Sequence, residues 1–224
     1  MIKLSKRLET ISSLIPINSK VIDIGCDHAL LDIYLYQQKT VKKIIASDIN
    51  YNALSNAKEN IKKNNLEKNI ETRLGNGLDT LKEDDNIDTI VISGMGAHTA
   101  IGILKNNLKK LKNINTIIIQ SNTKLLLLRK EITKLNYIID NEIILKDSNK
   151  IYTVIKFIKG KKHYNKKQLY FGPILLKTNT NIFQEYNKKE LQKLHIYLKL
   201  LPPNNLIDRY KIKKEIRLYN GVIE

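Results

Sequence analysis

Apolar residues in the first 158 positions fall into two kinds of pattern. Short apolar runs closed by polar or glycine residues predict buried strands, and apolar positions spaced three to four residues apart predict amphipathic helices. The predicted strands, some with the loop that follows, cover residues 20–25, 42–48, 69–77, 88–96, 115–123, 137–145 and 150–158. The predicted helices cover residues 29–38, 51–64, 98–111 and 124–135, after a first amphipathic helix that carries Leu4, Leu8, Ile11 and Ile15. This alternation indicates βαβ units and a parallel sheet.

The last two predicted strands differ from the others in how they are connected. Only Lys146–Asn149 separate them, and this link is too short for a crossover helix, so the pair must be antiparallel. A dinucleotide dehydrogenase would normally continue with parallel units at this point. We therefore predict an α/β fold with a Rossmann-like sheet of seven strands whose last pair is antiparallel, an arrangement that resembles class I methyltransferase sheets.

The chain changes character at Gly160, where a basic stretch, GKKHYNKKQ, begins and leads to Gly172-Pro173. Beyond it, apolar residues recur at helical spacing on both sides of a PPNN break at 202–205, at Phe183, Tyr186, Leu191, Leu194, Leu198, Leu201, Ile212, Ile216 and Tyr219. This spacing predicts two antiparallel helices packed as a coiled-coil hairpin. We predict a Rossmann-like domain at 1–160 and a basic helical domain at 161–224.

Positive charge is distributed unevenly along the chain, whose net charge is +17. Residues 1–150 hold 23 Lys+Arg against 17 Asp+Glu, whereas residues 151–224 hold 16 against 5. The excess of +11 in the shorter segment predicts that it binds a polyanion such as nucleic acid, because neutralising phosphates releases counterions. The alternative is a compositional bias of the source, since Asn, Lys and Ile are abundant throughout.

Several other classes of protein are disfavoured by what the sequence lacks. It has no run of about 18 apolar residues, which disfavours a membrane span, and its amino terminus lacks the apolar block of a signal peptide. A single cysteine, Cys26, and four dispersed histidines predict a reducing, cytoplasmic setting and no metal site. Neither a nucleophile-elbow serine nor a GK[ST] phosphate loop is present, which argues against a hydrolase or a kinase.

The segment VIDIGCDHALLDIYL connects the first strand to the following helix. Asp23 ends the strand and Gly25 opens the turn, so the backbone can approach a ligand at the carboxyl edge of the sheet. Carboxylates at this position suit a cofactor that carries an ammonium group and suit a pyrophosphate poorly. Asp23 and Asp27 therefore favour S-adenosylmethionine over NAD. The alternative for Asp27 is that it only caps the helix that starts near Ala29.

A second acidic position supports the same cofactor. Asp48 ends the second strand, 23 residues after Gly25, where its carboxylate can accept hydrogen bonds from both ribose hydroxyls. The alternative is that Asp48 caps the helix that follows Asn50.

Three further loops follow strands at the same edge. Asn76, in Gly75-Asn76-Gly77, could bind the edge of an adenine ring, or it could belong to an ordinary turn. Ser93–Gly96 contains two glycines that leave room for a planar substrate, while its Met95 could contact a base or fill the core. Gln120–Asn122 could hydrogen-bond a base, or it could be a polar loop.

Taken together, the motifs LSKRLETI, VIDIGCDHALLDIYL, SDIN, RLGNGLD, ISGMGAH, IIIQSN and KIYTV, followed by FGP and a helical tail, resemble one known family. It is the bacterial tRNA (adenine-22 N1)-methyltransferases, which are S-adenosylmethionine-dependent, and the resemblance covers essentially the whole chain. It implies a Rossmann-like catalytic domain, a carboxyl-terminal coiled coil that binds tRNA, and cofactor positions at Asp23, Gly25, Asp27, Asp48, Asn76 and Gly94. The sequence departs from the family pattern at Asn76, where an acidic residue is common, and at Ser121, where proline is usual.

These observations define the expected site. We expect S-adenosylmethionine to contact Asp23, Gly25, Asp27, His28, Asp48, Ile49, Asn76, Gly77, Ser93, Gly94 and Met95. We expect tRNA to contact Gly96, Gln120, Asn122, Lys161, Lys162, Lys166 and Lys167.

The resemblance also implies a reaction, in which N1 of adenine 22 in the tRNA D-arm attacks the sulfonium methyl directly. Asp27 is the expected catalytic residue, which would stabilise the developing positive charge or hold the N6 amine. We expect a monomer that does not bind membranes. The alternatives are a non-catalytic RNA-binding protein with a retained cofactor pocket, a methyltransferase of another RNA base, and a nicotinamide oxidoreductase.

Overall fold

The structure, a computed structural model, describes residues 2–223, and it divides into two compact units, Met1–His163 and Tyr164–Glu224. Met1 and Glu224, at the ends of the two predicted domains, lie outside the described residues. The strands of the first unit are β1 (Ser19–Ile24), β2 (Val41–Asp48), β3 (Ile70–Leu74), β4 (Thr89–Ser93), β5 (Thr116–Gln120), β6 (Tyr137–Asp147) and β7 (Lys150–Lys159). Its α-helices are α1 (Lys6–Leu14), α2 (Leu30–Gln37), α3 (Tyr51–Lys63), α4 (Ala97–Lys105) and α5 (Leu125–Thr133).

The seven strands form one sheet in the order β3-β2-β1-β4-β5-β7-β6. β1 pairs in parallel with both β2 and β4, and β7 is antiparallel to both of its neighbours, β5 and β6. The predicted Rossmann-like sheet with an antiparallel last pair is therefore confirmed. Because the strand order reverses at β1, a crevice opens beside the carboxyl ends of β1 and β4, which is where ligands bind in sheets of this kind.

The central strands are apolar on both faces because helices cover both sides of a doubly wound sheet. Apolar residues of β1, β4 and β5 are almost completely buried: Val21, Ile22, Ile24, Ile90, Val91, Ile92, Ile117, Ile118 and Ile119. The pairing register brings Ser93 opposite Gln120, and Asp48 opposite Leu74. The carboxyl ends of β2, β3, β4 and β5 therefore reach the same edge of the sheet.

Two helix boundaries follow from local hydrogen bonding. The Asn50 side chain accepts hydrogen bonds from the backbone N–H groups of Asn52 and Ala53 and so begins α3. The predicted helix 98–111 is wrong in its second half, because α4 ends at Lys105 and a separate 3₁₀ turn covers Lys110–Asn113. Asn106 and Asn107, which are poor helix formers, occupy the point at which the helix stops.

The β6–β7 hairpin is tighter than predicted. The strands extend into the link expected at Lys146–Asn149 and leave only Ser148 and Asn149 as the turn. Both residues have positive φ, at 46° and 64°, which is the geometry of a two-residue type I′ turn.

The second unit contains four helices within its described residues: α6 (Lys166–Phe171), α7 (Pro173–Thr178), α8 (Asn181–Leu200) and α9 (Leu206–Asn220). The predicted hairpin is confirmed, since α8 packs on α9. Phe183, Ile212, Ile216 and Tyr219 are buried, and the Tyr219 ring packs edge-on against Tyr170 and Phe171 of α6. The basic stretch GKKHYNKKQ contains the beginning of α6. Asn165 and Gln168 form a reciprocal capping box that begins this helix.

The buried ion pair between α5 and β6 provides a test of the fold. Arg129 Nε donates to Glu142 Oε1 at 2.6 Å, and both side chains are buried. We expect Glu142→Leu to lower the free energy of unfolding by about 3–5 kcal/mol, because it leaves the arginine charge buried. The double variant Arg129→Met/Glu142→Leu should recover most of this loss, as measured by urea unfolding. Lys193→Gln, which removes an exposed ion pair with Glu190, is the control and should cost less than about 1 kcal/mol.

If the double variant were no more stable than Glu142→Leu, the loss would come from packing around β6 and not from the uncompensated charge.

Candidate active site

A cavity of about 420 Å³ lies at the carboxyl edge of the sheet, where the strand order reverses. Its volume falls in the range of about 300–1,000 Å³ typical of small-molecule sites. The lining residues come from α1, the β1–α2 segment, β2 and the β4–α4 loop: Arg7, Leu8, Asp23, Gly25, Cys26, Asp27, His28, Leu30, Leu31, Asp48, Ser93, Gly94 and Met95. Eight of the eleven residues expected to contact the cofactor are thus brought together.

The loop after β1 is shaped by one glycine. Gly25 has a φ of 79°, and its N–H donates to the Ser47 carbonyl at 2.8 Å, which ties the loop to β2. A Cβ at this position would collide with the Met95 Cε atom. Any other residue would therefore both strain the backbone and displace the Met95 side chain from the cavity wall.

Asp27 lies at the mouth of the cavity with a φ of 48°, and its side chain is 66% exposed. It does not cap α2, because Ala29 occupies the N-cap position and no side chain provides a cap bond there. The Asp27 N–H donates to Asp48 Oδ2 at 3.4 Å, and its carboxylate lies 3.6 Å from His28 Nε2. The carboxylate is thus available to a ligand and is not used in holding the helix.

Asp48 does not cap a helix either, because Asn50 occupies that position in α3. Its Oδ1 accepts from the Asn50 N–H at 2.8 Å, while Oδ2 accepts from Asp27. These two bonds fix the carboxylate at the cavity wall. Each carboxylate oxygen has a second lone pair, so the group can still accept hydrogen bonds from a diol.

Two buried carboxyl groups, Asp23 and Asp32, lie next to each other beneath the cavity. Asp23 is 4% exposed and Asp32 is fully buried in the first turn of α2. Burial first, and the Asp48 carboxylate second, raise the pKa of Asp23 to about 7, whereas the Arg7 guanidinium opposes the rise. Burial also raises the pKa of Asp32 well above its usual range, and Asp23 adds to that effect. The two carboxyls can therefore share a proton at neutral pH.

A hydrogen-bond network connects α1 to the loops after β4 and β5. Arg7 Nη1 donates to Ser93 Oγ at 2.9 Å and to Gln120 Oε1 at 3.0 Å, and the Gly94 N–H donates to the same Gln120 oxygen at 3.0 Å. Gln120 Nε2 donates in turn to Asn122 Oδ1 at 3.0 Å. Gln120 is 2% exposed, its amide is hydrogen-bonded at both ends, and it does not line the cavity.

The other expected contact residues lie outside the cavity lining. Ile49, Asn76, Gly96 and Asn122 are exposed, and the first two follow the adjacent strands β2 and β3. Gly77 is buried with a φ of 55° and packs against Ile103, so its glycine is required by the turn itself.

The four lysines expected to contact RNA fall in both units. Lys161 and Lys162 belong to the first unit, whereas Lys166 and Lys167 begin α6 in the second. All four side chains are exposed, although Lys167 Nζ donates to the Gly221 carbonyl at 2.8 Å.

Two residues at the site, Arg7 and Asp32, were not predicted from the sequence. Arg7 lies about a dozen residues before β1, and sequence spacing gave no sign that it reaches the edge of the sheet. Asp32 did carry a signal, since a lone carboxylate inside the apolar run ALLDIYL is unusual for a buried helix face.

The described residues contain neither a membrane-spanning helix nor a group of metal-ligating side chains. Within 2–223 no helix is long and apolar enough to cross a membrane. The same part of the chain contains no group of three or more His, Cys, Asp or Glu side chains placed to hold a metal ion.

Comparison with known proteins gives a consistent result. The profile of the tRNA (adenine(22)-N(1))-methyltransferase family matches residues 21–221. The chain is 32% identical over 197 residues to the tRNA (adenine(22)-N(1))-methyltransferase of Bacillus subtilis strain 168, which covers 85% of this chain and 82% of the relative.

Two solved structures are similar over both units. Streptococcus pneumoniae Sp1610, solved in complex with S-adenosyl-L-methionine, has a TM-score of 0.93 at 29% identity and covers 99% of this chain and 100% of its own. M. capricolum TrmK, solved with the cofactor product S-adenosyl-homocysteine, has a TM-score of 0.89 at 33% identity and covers 99% of both chains.

The Asp23–Asp32 pair predicts an unusual dependence of stability on pH. Because both pKa values are raised in the folded state, the native chain binds more protons than the unfolded chain, and the free energy of unfolding falls as pH rises from about 4 towards 7. Asp32→Asn removes one acid and supplies an amide donor to Asp23. We expect it to stabilise the chain at pH 8 by at least about 1 kcal/mol, the value of one pKa unit, and by less at pH 5.

Urea unfolding at both pH values measures this effect, with the exposed Asp79→Asn as the control. A difference between Asp32→Asn and wild type that did not change with pH would contradict the shared-proton interpretation.

Proposed function

The chain belongs to the tRNA (adenine(22)-N(1))-methyltransferase family, and on that premise we propose that it transfers a methyl group from S-adenosylmethionine to N1 of adenine 22 in the tRNA D-arm. One observation carries the proposal. In a chain that matches this family along residues 21–221, the acidic and glycine loops after β1, β2 and β4 converge on a single cavity.

The chemistry of the cavity fits this cofactor. Asp23 lines the cavity with a pKa raised chiefly by burial, and the ammonium group of the cofactor would stabilise the charged form of its carboxyl group. Asp48 lines the same cavity with a carboxylate that can accept hydrogen bonds from ribose hydroxyls. A pyrophosphate would instead meet three carboxylates, Asp23, Asp27 and Asp48, and be repelled.

The reaction needs no strong base. S-adenosylmethionine supplies an electrophilic methyl carbon, and the in-plane lone pair of adenine N1 forms the new N–C bond while the electrons of the C–S bond remain on sulfur. The base becomes cationic without losing a proton first. The protein therefore contributes position and electrostatics.

We assign Asp27 to the developing positive charge. Its carboxylate is exposed at the mouth of the cavity, and its backbone is held by Asp48, so it can face a base that enters from solvent. It would attract the methylated ring or accept from the N6 amine. Gly94 lines the cavity next to Met95, and the exposed Gly96 follows in the same loop, so this loop would leave space for a planar ring.

Gln120 and Asn122 would have different roles, Gln120 in supporting the site and Asn122 in contacting the base. Gln120 is buried and holds Gly94 and Asn122 in place, whereas Asn122 is exposed and can hydrogen-bond a base. N1 lies on the pairing edge of adenine, so the target must be unpaired or flipped out, which costs a few kcal/mol that stacking contacts offset.

We further propose that residues 161–224 bind the tRNA body. The support is their charge, because residues 161–224 hold 14 Lys+Arg against 5 Asp+Glu, a net charge of +9 out of the total +17. The lysines at its start are exposed. We also propose that the protein acts in the cytoplasm as a monomer.

The central experiment is methyl transfer with base identification. Purified protein, methyl-labelled S-adenosylmethionine and a tRNA carrying adenine 22 should yield labelled 1-methyladenosine, detected by mass spectrometry of the digested nucleosides. The same tRNA with guanine at position 22 is the control and should remain unlabelled. Label in another nucleoside would indicate a different target base, and no label on any tRNA would leave only a binding protein.

The proposed tRNA-binding role of residues 161–224 predicts a change in salt dependence. Lys161→Gln/Lys166→Gln should weaken tRNA binding and lower the slope of log Kd against log salt by roughly 0.7–0.9 for each phosphate that is no longer neutralised. Fluorescence anisotropy with labelled tRNA at several salt concentrations measures the slope. Lys58→Gln/Lys68→Gln, which removes two exposed lysines of the first unit, is matched in charge. Equal slopes for both double variants would mean that total charge, and not the basic segment, determines binding.

A further inference from the structure

Exposed apolar side chains are concentrated at one end of the second unit. Of the eleven large apolar side chains that are exposed among residues 2–223, six lie within residues 196–210, which we call the hairpin tip. Each is 54–75% exposed, and they are Ile196, Tyr197 and Leu200 of α8 and Leu206, Ile207 and Tyr210 of α9. Apolar surface gathered in this way is typical of a site that contacts another molecule.

Packing of α8 on α9 does not account for these six residues. In each helix they occupy positions i, i+1 and i+4, which lie within about 100° of arc on one side of an α-helix. The residues whose spacing predicts the hairpin are different ones, and those nearest the tip, Leu194, Leu198 and Ile212, are partly or fully buried. The tip therefore has an apolar surface in addition to the one that joins the two helices.

Hydrogen bonds fix the shape of the hairpin tip. Arg209 Nη1 donates to the Leu198 carbonyl at 3.1 Å and to the Leu201 carbonyl at 2.9 Å, which ties α9 to the end of α8. The Asn205 side chain accepts from the Asp208 N–H at 3.3 Å and so begins α9. The exposed side chains are thus held on an ordered backbone, which lowers the conformational entropy lost when a partner binds.

Positive charge accompanies the apolar side chains. Residues 193–214 hold six Lys+Arg against one Asp, a net charge of +5. Lys199, Lys213 and Lys214 are exposed, and within residues 2–223 none of them forms an ion pair, whereas Lys211 pairs with Asp208. Two copies of the tip would therefore repel each other, and an anionic partner would be attracted.

Unpaired nucleotides are a partner that is both anionic and apolar. Each carries a phosphate and a planar base, and the base can stack on a tyrosine ring such as that of Tyr197 or Tyr210. Double-stranded RNA hides the faces of its bases in its own stack and presents phosphates and groove edges instead. An apolar surface surrounded by lysines therefore fits the loops of a folded RNA better than its helices.

We propose that the hairpin tip binds exposed bases in the loops of tRNA, with Tyr197 and Tyr210 as the stacking residues. This inference rests on the proposed function, since it takes tRNA as the substrate. The contact is separate from that of Lys167, whose Nζ donates to the Gly221 carbonyl at the other end of α9. Because α9 has 15 residues, about 22 Å of helix lies between the two.

The test separates stacking from charge. Fluorescence anisotropy without cofactor gives the affinities of wild type and Tyr197→Ala/Tyr210→Ala for labelled tRNA and for an RNA duplex without loops, at several salt concentrations. The variant should bind tRNA at least about fivefold more weakly, the effect of losing one base stack. Its salt slope should equal that of wild type because no cation is removed, and so should its affinity for the duplex.

Two further variants control for the ring and for exposed apolar surface. Tyr197→Phe/Tyr210→Phe keeps both rings without their hydroxyls and should bind tRNA as tightly as wild type. Ile17→Ala/Leu108→Ala removes two exposed apolar side chains of the first unit and should leave tRNA binding unchanged. Thermal unfolding of each variant establishes that it is folded.

Other outcomes would overturn the assignment. Unchanged tRNA affinity in Tyr197→Ala/Tyr210→Ala would mean that the tip does not bind tRNA, and equal weakening for tRNA and duplex would indicate a contact with the RNA backbone. If sedimentation showed a wild-type dimer and a monomeric variant, with tRNA affinity unchanged, the tip would join two copies of the chain. If the variant lost only binding to phosphatidylglycerol vesicles, the tip would contact lipid.

The proposed function and this inference fail in different ways. Wild type that bound tRNA through the tip without methylating it would refute the proposed function alone. Methyl transfer by wild type together with unaltered tRNA binding by Tyr197→Ala/Tyr210→Ala would refute this inference alone.

Discussion

The parallel pairing of β1 with both β2 and β4 is the constraint on which the site depends. It brings the acidic loops after β1 and β2 and the glycine loop after β4 to one edge, and the reversal of strand order opens the crevice between them. Because β1 is buried on both faces, its register cannot slip without exposing apolar residues. Asp23 is thereby held beneath the cavity, where burial disfavours the ionised form of its carboxyl group.

The electrostatics of the site are unbalanced in the absence of a ligand. Asp23 and Asp32 are buried together, and the pKa of each is raised chiefly by that burial. A cationic ligand that paired with Asp23 would offset part of the cost of burying its ionised carboxylate. This offset would contribute to the free energy of binding. Arg7 compensates part of the same negative charge and, at the same time, prevents the cavity from being uniformly acidic.

The site also links distant parts of the first unit. Arg7 joins α1 to Ser93 on β4, to Gln120 on β5 and to Asp147 on β6. Gln120 extends this hydrogen-bond network to Gly94 and Asn122. The antiparallel β7 is part of the same support, since its Tyr152 ring lies under the guanidinium. The strand pair that ends the sheet thus has a role in holding the site.

The sequence by itself determined the seven strands, the antiparallel last pair and the helical hairpin, because periodicity and link length are local properties that survive in the fold. It also located Asp23, Gly25, Asp48 and Gly94, since each lies at or directly after the end of a strand. Only the tertiary structure decided the rest. The insertion of β7 between β5 and β6, the approach of Arg7 to Ser93 and Gln120, and the contact of Asp32 with Asp23 all join residues whose proximity is set by packing, and no spacing along the chain encodes it.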